Sequence, residues 1–158
     1  MPRLIAFLRA INVGGHTVTM ERLRKEFEAL GLKDVETFIA SGNVIFTSRS
    51  ADLAALEKKI EARLRASLGY EVATFVRTDA EVAAVAGYQP FAAARAVMTF
   101  KTETDDFRVK GREVYWLRKT RHSDSPFKYV SLEKKLKIRA TFRGINTVAR
   151  LAAKHGPT

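Results

Sequence analysis

Cysteine is absent from this 158-residue chain. That excludes disulfides, thiol nucleophiles and thiolate metal sites, and it suits a reducing cytosol. Histidine is scarce: His16, His122 and His155 stand far apart, without the clustered spacing of a zinc site. Asp105 and Asp106 read as the start of a turn; with no supporting ligands nearby in the sequence, they predict no metal. Long hydrophobic runs are missing as well. Leu4 to Leu8 is far too short to cross a bilayer, and no cleavage pattern follows it. A cytoplasmic protein with no membrane partner is the expectation. Low-complexity segments and short-period repeats are not present. No P-loop or dinucleotide fingerprint occurs, so no cofactor is expected.

What the chain does have is apolar bulk and positive charge. Hydrophobic residues make up 46% of it, enough for a real core, and the length fits one domain or two small ones. The formal net charge is +11. Its placement is uneven: residues 108–154 carry 14 basic side chains against Glu113, Asp124 and Glu133. Such a segment suits an acidic or phosphate-bearing partner, nucleic acid included, and equally suits a plain solvated surface.

The apolar pattern alternates between two periods. Leu4 to Leu8 predicts a strand buried on both faces. Met20, Leu23, Phe27 and Leu30 fall at helical spacing, with Thr19 as N-cap and Gly31 as stop. Val35 to Ala40 and Val44 to Thr47 read as strands joined by a tight turn at Ser41-Gly42-Asn43. Leu53, Leu56, Ile60, Leu64 and Leu68 form one helix stripe closed by Gly69, and Val72 to Val76 reads as a strand. The order β-α-β-β-α-β is the split βαβ, or ferredoxin-like, arrangement. Thr78 and Glu81 make a capping box that opens a short helix to about Ala86. Beyond Gly87 the pattern predicts strands at Val97–Thr102, Phe107–Lys110 and Glu113–Lys119, with Gly111-Arg112 turning a hairpin. A polar loop at Thr120–Pro126, a short helix at Ser131–Leu136 and a final helix starting at Asn146 or Thr147 complete the reading. The fold class is therefore α+β: a ferredoxin-like subdomain over 1–87, then a smaller basic α+β subdomain over 88–158.

Topology sorts the polar loops. In a split βαβ unit, the loop after the first strand and the hairpin between the second and third share one sheet edge. Arg9, Asn12, Gly14 and Gly15 are thus expected beside Ser41, Gly42 and Asn43, with the turn at Gly69-Tyr70-Glu71 joining them. Arg9 brings a planar fork of donors, and the Asn and Ser side chains bring neutral hydrogen-bonding groups. Near the C-terminus, Thr141, Arg143, Gly144, Asn146 and Thr147 put an arginine just ahead of a helix start, a place that can hold an anion or simply cap the helix. Candidate ligand-binding residues are accordingly Arg9, Asn12, Gly14, Gly15, Ser41, Gly42, Asn43, Arg143, Asn146 and Thr147.

These motifs resemble an uncharacterised, mainly bacterial family, domain of unknown function 1697. The likeness is carried by Leu8-Arg9-Ala10-Ile11-Asn12-Val13-Gly14-Gly15, by Met20, Leu23, Gly31, Val35 and Thr37, by Ser41-Gly42-Asn43-Val44-Ile45-Phe46, and by Pro90-Phe91. Thr141, Arg143 and Thr147 resemble the family's C-terminal signature, whereas Gly144 and Ile145 replace its usual Asn and Trp. The resemblance implies an α+β fold with a ferredoxin-like first half, and no established activity.

Three functions follow as alternatives. The first is a binding module for an anionic ligand, with nucleic acid meeting the basic 108–154 segment. Tyr115 and Trp116 among Arg112, Arg118, Lys119 and Arg121 then offer stacking rings, pointed to opposite faces if the segment is a strand. Phe7 and Phe46 lie where an RNA recognition motif carries its aromatics, but here they read as core. The second is an enzyme for a small phosphorylated substrate, with Arg9, Asn12 and Arg143 on the anion and His16 as acid or base. The third is a protein-interaction module whose loops are structural. The adjacent His122-Ser123-Asp124 has the residue types of a triad but not the spacing of a spatial relay. Sequence specifies no oligomeric state.

Overall fold

The computed structural model describes residues 1–12, 14–39, 42–88, 105–119, 133–134, 137 and 139–157. Two compact units account for it: Met1–Ala86 with Thr141–Thr158, and Gly87–Ala140. The break after Ala86 lies one residue from the sequence boundary. Residues 141–158, grouped by sequence with the basic subdomain, belong instead to the first unit.

The first unit is built on strands β1 (Arg3–Leu8), β2 (Lys33–Phe38), β3 (Asn43–Thr47) and β4 (Thr74–Thr78). They form one antiparallel sheet in the order β2-β3-β1-β4, the ferredoxin-like arrangement. Helices α1 (Met20–Glu28) and α2 (Leu53–Leu68) cover one face. Alternation along β1 explains its unbroken apolar run. Leu4, Ala6 and Leu8 join Leu23, Phe27, Ile60, Leu64, Val44 and Phe46 in a core beneath α1 and α2. Ile5 and Phe7 point the other way. They meet Phe38, Ile45 and Phe75 under α3 (Asp79–Gly87) and α4 (Ile145–His155), whose Val82, Val148 and Leu151 are buried there.

Local chemistry sets the element ends. The Thr19 hydroxyl accepts from the Arg22 N–H, as its N-cap position predicts. Thr78 and Glu81 bond each other's backbone N–H groups, completing the capping box. Two strands are displaced from the sequence expectation. β2 starts and ends two residues early, because Asp34 and Ile39 take positive φ, and a register shift lies between Lys33 and Glu36. β4 begins at Thr74 instead of Val72, although Val72 is fully buried.

β4 is an edge strand whose outward donors are all taken by glutamates. Thr74 N–H donates to Glu61 Oε1 (2.9 Å), Val76 N–H to Glu57 Oε1 (2.7 Å) and Thr78 N–H to Glu81 Oε2 (2.8 Å). On the helical side, Glu26 of α1 is buried and accepts from Arg63 Nε (2.6 Å) and the Ser67 hydroxyl of α2, tying the two helices together.

In the second unit, β5 (Asp105–Lys110) and β6 (Glu113–Arg118) form an antiparallel ribbon. Gly111, at φ 59°, lies in its turn. Asp105 and Asp106 therefore open a strand and do not start a turn: Asp105 Oδ1 accepts from the Trp116 indole N–H at 2.8 Å. The expected strand at Val97–Thr102, the Thr120–Pro126 loop and most of the Ser131–Leu136 helix lie outside the described residues, as does Ser41.

Candidate functional site: a loop clasp and a basic ribbon

The sheet edge after β1 gathers most of the sequence candidates, and the hydrogen bonds show what each does there. Leu8 N–H donates to the Gly42 carbonyl (2.8 Å), so the loop and the hairpin meet as topology requires. Gly42 has φ 75°, and a Cβ there would stand 2.8 Å from Ile11 Cγ2. Both conformation and close packing demand glycine. Gly14 and Gly15 also have positive φ, but nothing lies within 4 Å of a Cβ at either. They serve the turn and are exposed.

Asn12 Oδ1 accepts from the Val18 N–H at 2.8 Å, holding the loop in shape. Arg9 is half-exposed, and its backbone N–H donates to the Ala73 carbonyl at 2.9 Å. The Tyr70 hydroxyl donates to the Ile11 carbonyl at 2.8 Å, which adds the turn after α2 to the cluster. Burial raises the Tyr70 pKa, so that hydroxyl keeps its proton. His16 stacks on the Tyr70 ring, with centroids 3.9 Å apart and planes at 19°.

Arg143 reaches this edge from the other end of the chain. Its Nε donates to Asn43 Oδ1 (2.6 Å). Nη1 donates to Thr141 Oγ1 (2.9 Å) and the Phe142 carbonyl (2.7 Å), and Nη2 to the carbonyls of Leu8 (2.9 Å) and Gly42 (3.4 Å). A guanidinium has five N–H donors, and these bonds occupy all five. The Phe7 ring lies under the same group, 5.6 Å away. Loss of solvent lowers the Arg143 pKa to about 10, so it stays charged at neutral pH. Asn43 is fully buried, and its Nδ2 donates back to the Phe38 carbonyl at 2.9 Å. The result is a clasp: one guanidinium joins β1, the hairpin and the approach to α4.

Asn146 and Thr147 do not start that helix. Gly144 is the N-cap, with φ −65° and ψ 143°, and its carbonyl accepts from the Thr147 and Val148 N–H groups at 2.9 and 3.2 Å. Extended backbone at Gly144 places the first turn two or three residues earlier than a polar cap at Asn146 or Thr147 would.

Sequence reasoning missed two features here. The Gly69-Tyr70-Glu71 turn joins the cluster as topology predicts, but the bond from the Tyr70 hydroxyl and the stacking of its ring on His16 were not foreseen. His155 carried no signal, because its burial depends on α4 docking across the sheet.

The second candidate surface is the β5–β6 ribbon. Register confirms that Trp116, opposite Phe107, and Tyr115, opposite Arg108, point to opposite faces. Both rings are half-buried. Trp116 stacks on Phe107 at 5.8 Å, and Arg118 lies over its ring at 4.9 Å. Tyr88 meets Tyr115 edge-on at 4.8 Å, and Lys110 lies over Tyr88 at 4.2 Å. Lys110, Arg112, Arg118 and Lys119 are exposed, and so are Val109, Val114 and Leu117.

Comparison with known proteins now places the chain. A family model described as a protein of unknown function, DUF1697, matches residues 1–106. The chain belongs to this family. DUF1697 assigns it no activity, in keeping with what the motif likeness implied. No curated protein matches the chain. A solved structure of a conserved bacterial protein, SP0830 from Streptococcus pneumoniae, is similar over 98% of each chain, with a TM-score of 0.72 and 22% identity. At that identity the likeness shows the fold alone. Among the described residues of this DUF1697 member, no helix is long and apolar enough to cross a membrane.

Proposed function

We propose that this DUF1697 member is a binding module for a phosphate-bearing ligand, and that the ligand is nucleic acid met by the basic 108–154 segment. The observation that carries this reading is the ribbon: exposed Lys110 and Arg118 lie over Tyr88 and Trp116, beside exposed Arg112 and Lys119. An aromatic ring under a cation orders a long side chain before a partner arrives, which lowers the entropic cost of contact. Cations interleaved with rings also suit flexible single strands, where phosphates and bases are both accessible.

The sheet face is a poorer surface for this purpose. Phe7 and Phe46, at the positions of RNA-stacking aromatics, are buried among core residues on opposite faces. The enzymatic alternative gains little support, because Arg143 and Asn12 spend their side chains on the fold. Those same bonds favour loops that are structural.

Fluorescence anisotropy with labelled single-stranded RNA and DNA at rising salt tests the proposal. Binding should weaken steeply with salt, and the paired change Lys110→Ala, Arg118→Ala should flatten the slope by roughly 1.4, about 0.7 per lost phosphate contact on a single strand. Absence of binding at low salt rejects the proposal.

A further inference from the structure

The C-terminal end of α4 contains a buried titratable group that neither the clasp nor the ribbon uses. His155 lies in the helix's last turn and is 5% exposed. Its ring meets the edge of Phe38 on β2, with centroids 6.1 Å apart. Its Nε2 is shut off from solvent and has no hydrogen-bond partner. An imidazole nitrogen in that position is tolerable while the ring is neutral and costly once it carries charge.

Charged groups around the ring come from three elements. Glu36 on β2 has Oε2 4.0 Å from His155 Nε2, and the same oxygen is 3.3 Å from Lys154 Nζ on α4. Arg3 on β1 also acts on His155. Arg150, one turn back on α4, lies over the Phe38 ring at 5.3 Å. Burial disfavours the imidazolium most strongly, and Lys154 and Arg3 add repulsion. Glu36 works in the opposite direction but shares its carboxylate with Lys154. The net effect lowers the His155 pKa from its ordinary value of 6.5.

We propose that His155 is a proton-operated latch on α4: neutral, it seals the end of the helix against the sheet, and protonated, it releases that end and uncovers the apolar surface around Phe38. The proton comes from solvent and binds Nε2, which in the closed state has the Glu36 carboxylate 4.0 Å away, beyond hydrogen-bond reach. The two ends of α4 differ in grip. Arg143 ties the approach to the N-terminal turn to β1 and the hairpin through three bonds, to Asn43, Leu8 and Gly42, whereas the C-terminal turn rests on apolar packing of Ala152, on His155 against Phe38 and on an exposed Lys154–Glu36 pair. Opening therefore starts at the C-terminal end.

The linkage has a definite sign. His155 is harder to protonate in the closed state than in the open one, so acid favours opening. The closing contribution is complete above pH 6.5, the ordinary value, and is lost as pH falls through the window between that value and the lowered one.

Two measurements on the full chain test this. An NMR titration of the His155 ring should give a midpoint below 6.5. Hydrogen exchange of α4 amides, corrected for intrinsic rates, should show opening at Ala152 to Gly156 rising by up to about tenfold per pH unit within the window, one proton being taken up per opening. His155→Phe should flatten that dependence. Glu36→Gln should extend it to lower pH, since Glu36 favours the charged ring. A His155 midpoint at or above 6.5 overturns the proposal, as does an unchanged pH slope in His155→Phe. Should that variant fail to fold, the wild-type titration still decides.

Discussion

Arg143 and the ribbon cations make an instructive contrast. Arg143 is half-buried and gives five N–H groups to oxygens of its own chain. Lys110 and Arg118 are exposed and lie over aromatic rings, which accept no conventional hydrogen bond. All three count equally in the net charge of +11. Only the second kind is available to a partner without dismantling the fold. A sum of charges therefore says less about recognition than the acceptors each charge already has.

The contrast can be broken most sharply at Arg143. Arg143→Ala strips the donors from Asn43 Oδ1 and from the Leu8 and Gly42 carbonyls, and should cost about 2–4 kcal/mol in urea unfolding. Arg143→Lys should recover only a minor part, because an ammonium cannot reproduce the planar fork. Gly42→Ala comes next at about 2–3 kcal/mol, combining left-handed strain with the Ile11 contact, whereas Gly14→Ala should cost about 1 kcal/mol from strain alone. A Gly14 cost matching that of Gly42 would show that the open loop is packed in a way the geometry denies.

Glu26 supplies a pH-dependent comparison within the same unit. Burial alone would raise its pKa, but bonds from Ser67 and Arg63 outweigh that and hold it below the ordinary 4.5. A lowered carboxylate contributes stability that is complete above the ordinary value and is lost as pH falls through the lowered one. Glu26→Gln should therefore cost about 1–2 kcal/mol at neutral pH and nearly nothing in strong acid, read as a converging pair of urea midpoints. The smallest stability effect belongs to the ribbon: Lys110→Ala with Arg118→Ala should change stability by less than about 1 kcal/mol while lowering nucleic-acid affinity. A large loss of stability there would turn the ribbon cations into architecture as well.

Much of the first unit was legible in its residues. The unbroken run at Leu4–Leu8 anticipated a strand with two covered faces, and both faces are covered. Thr19, Gly69 and the Thr78–Glu81 pair marked helix ends correctly, since each acts within a few residues of itself. Positions that depend on distant partners were not legible. Arg143 bonds Leu8 across 135 positions, and nothing local to either residue encodes that match. The same distance hid His155. The irregularity in β2 between Lys33 and Glu36 holds Asp34 at positive φ, and beyond the strand's end at Phe38 the same is true of Ile39, a residue type that rarely takes it. The meeting of loop and hairpin was inferred from topology; that their bonds would be satisfied internally was a matter of side-chain geometry.

The glutamates along β4 have a consequence for behaviour in a crowd. A strand at the margin of a sheet ordinarily offers alternate N–H groups to any extended segment that passes, and so seeds assembly between copies. Here Glu57, Glu61 and Glu81 occupy those donors at Val76, Thr74 and Thr78. A passing chain would have to displace three carboxylate bonds before it could add a single rung. Resistance to growth at the β4 edge is thus local and negative in sign, in a molecule whose overall charge is strongly positive.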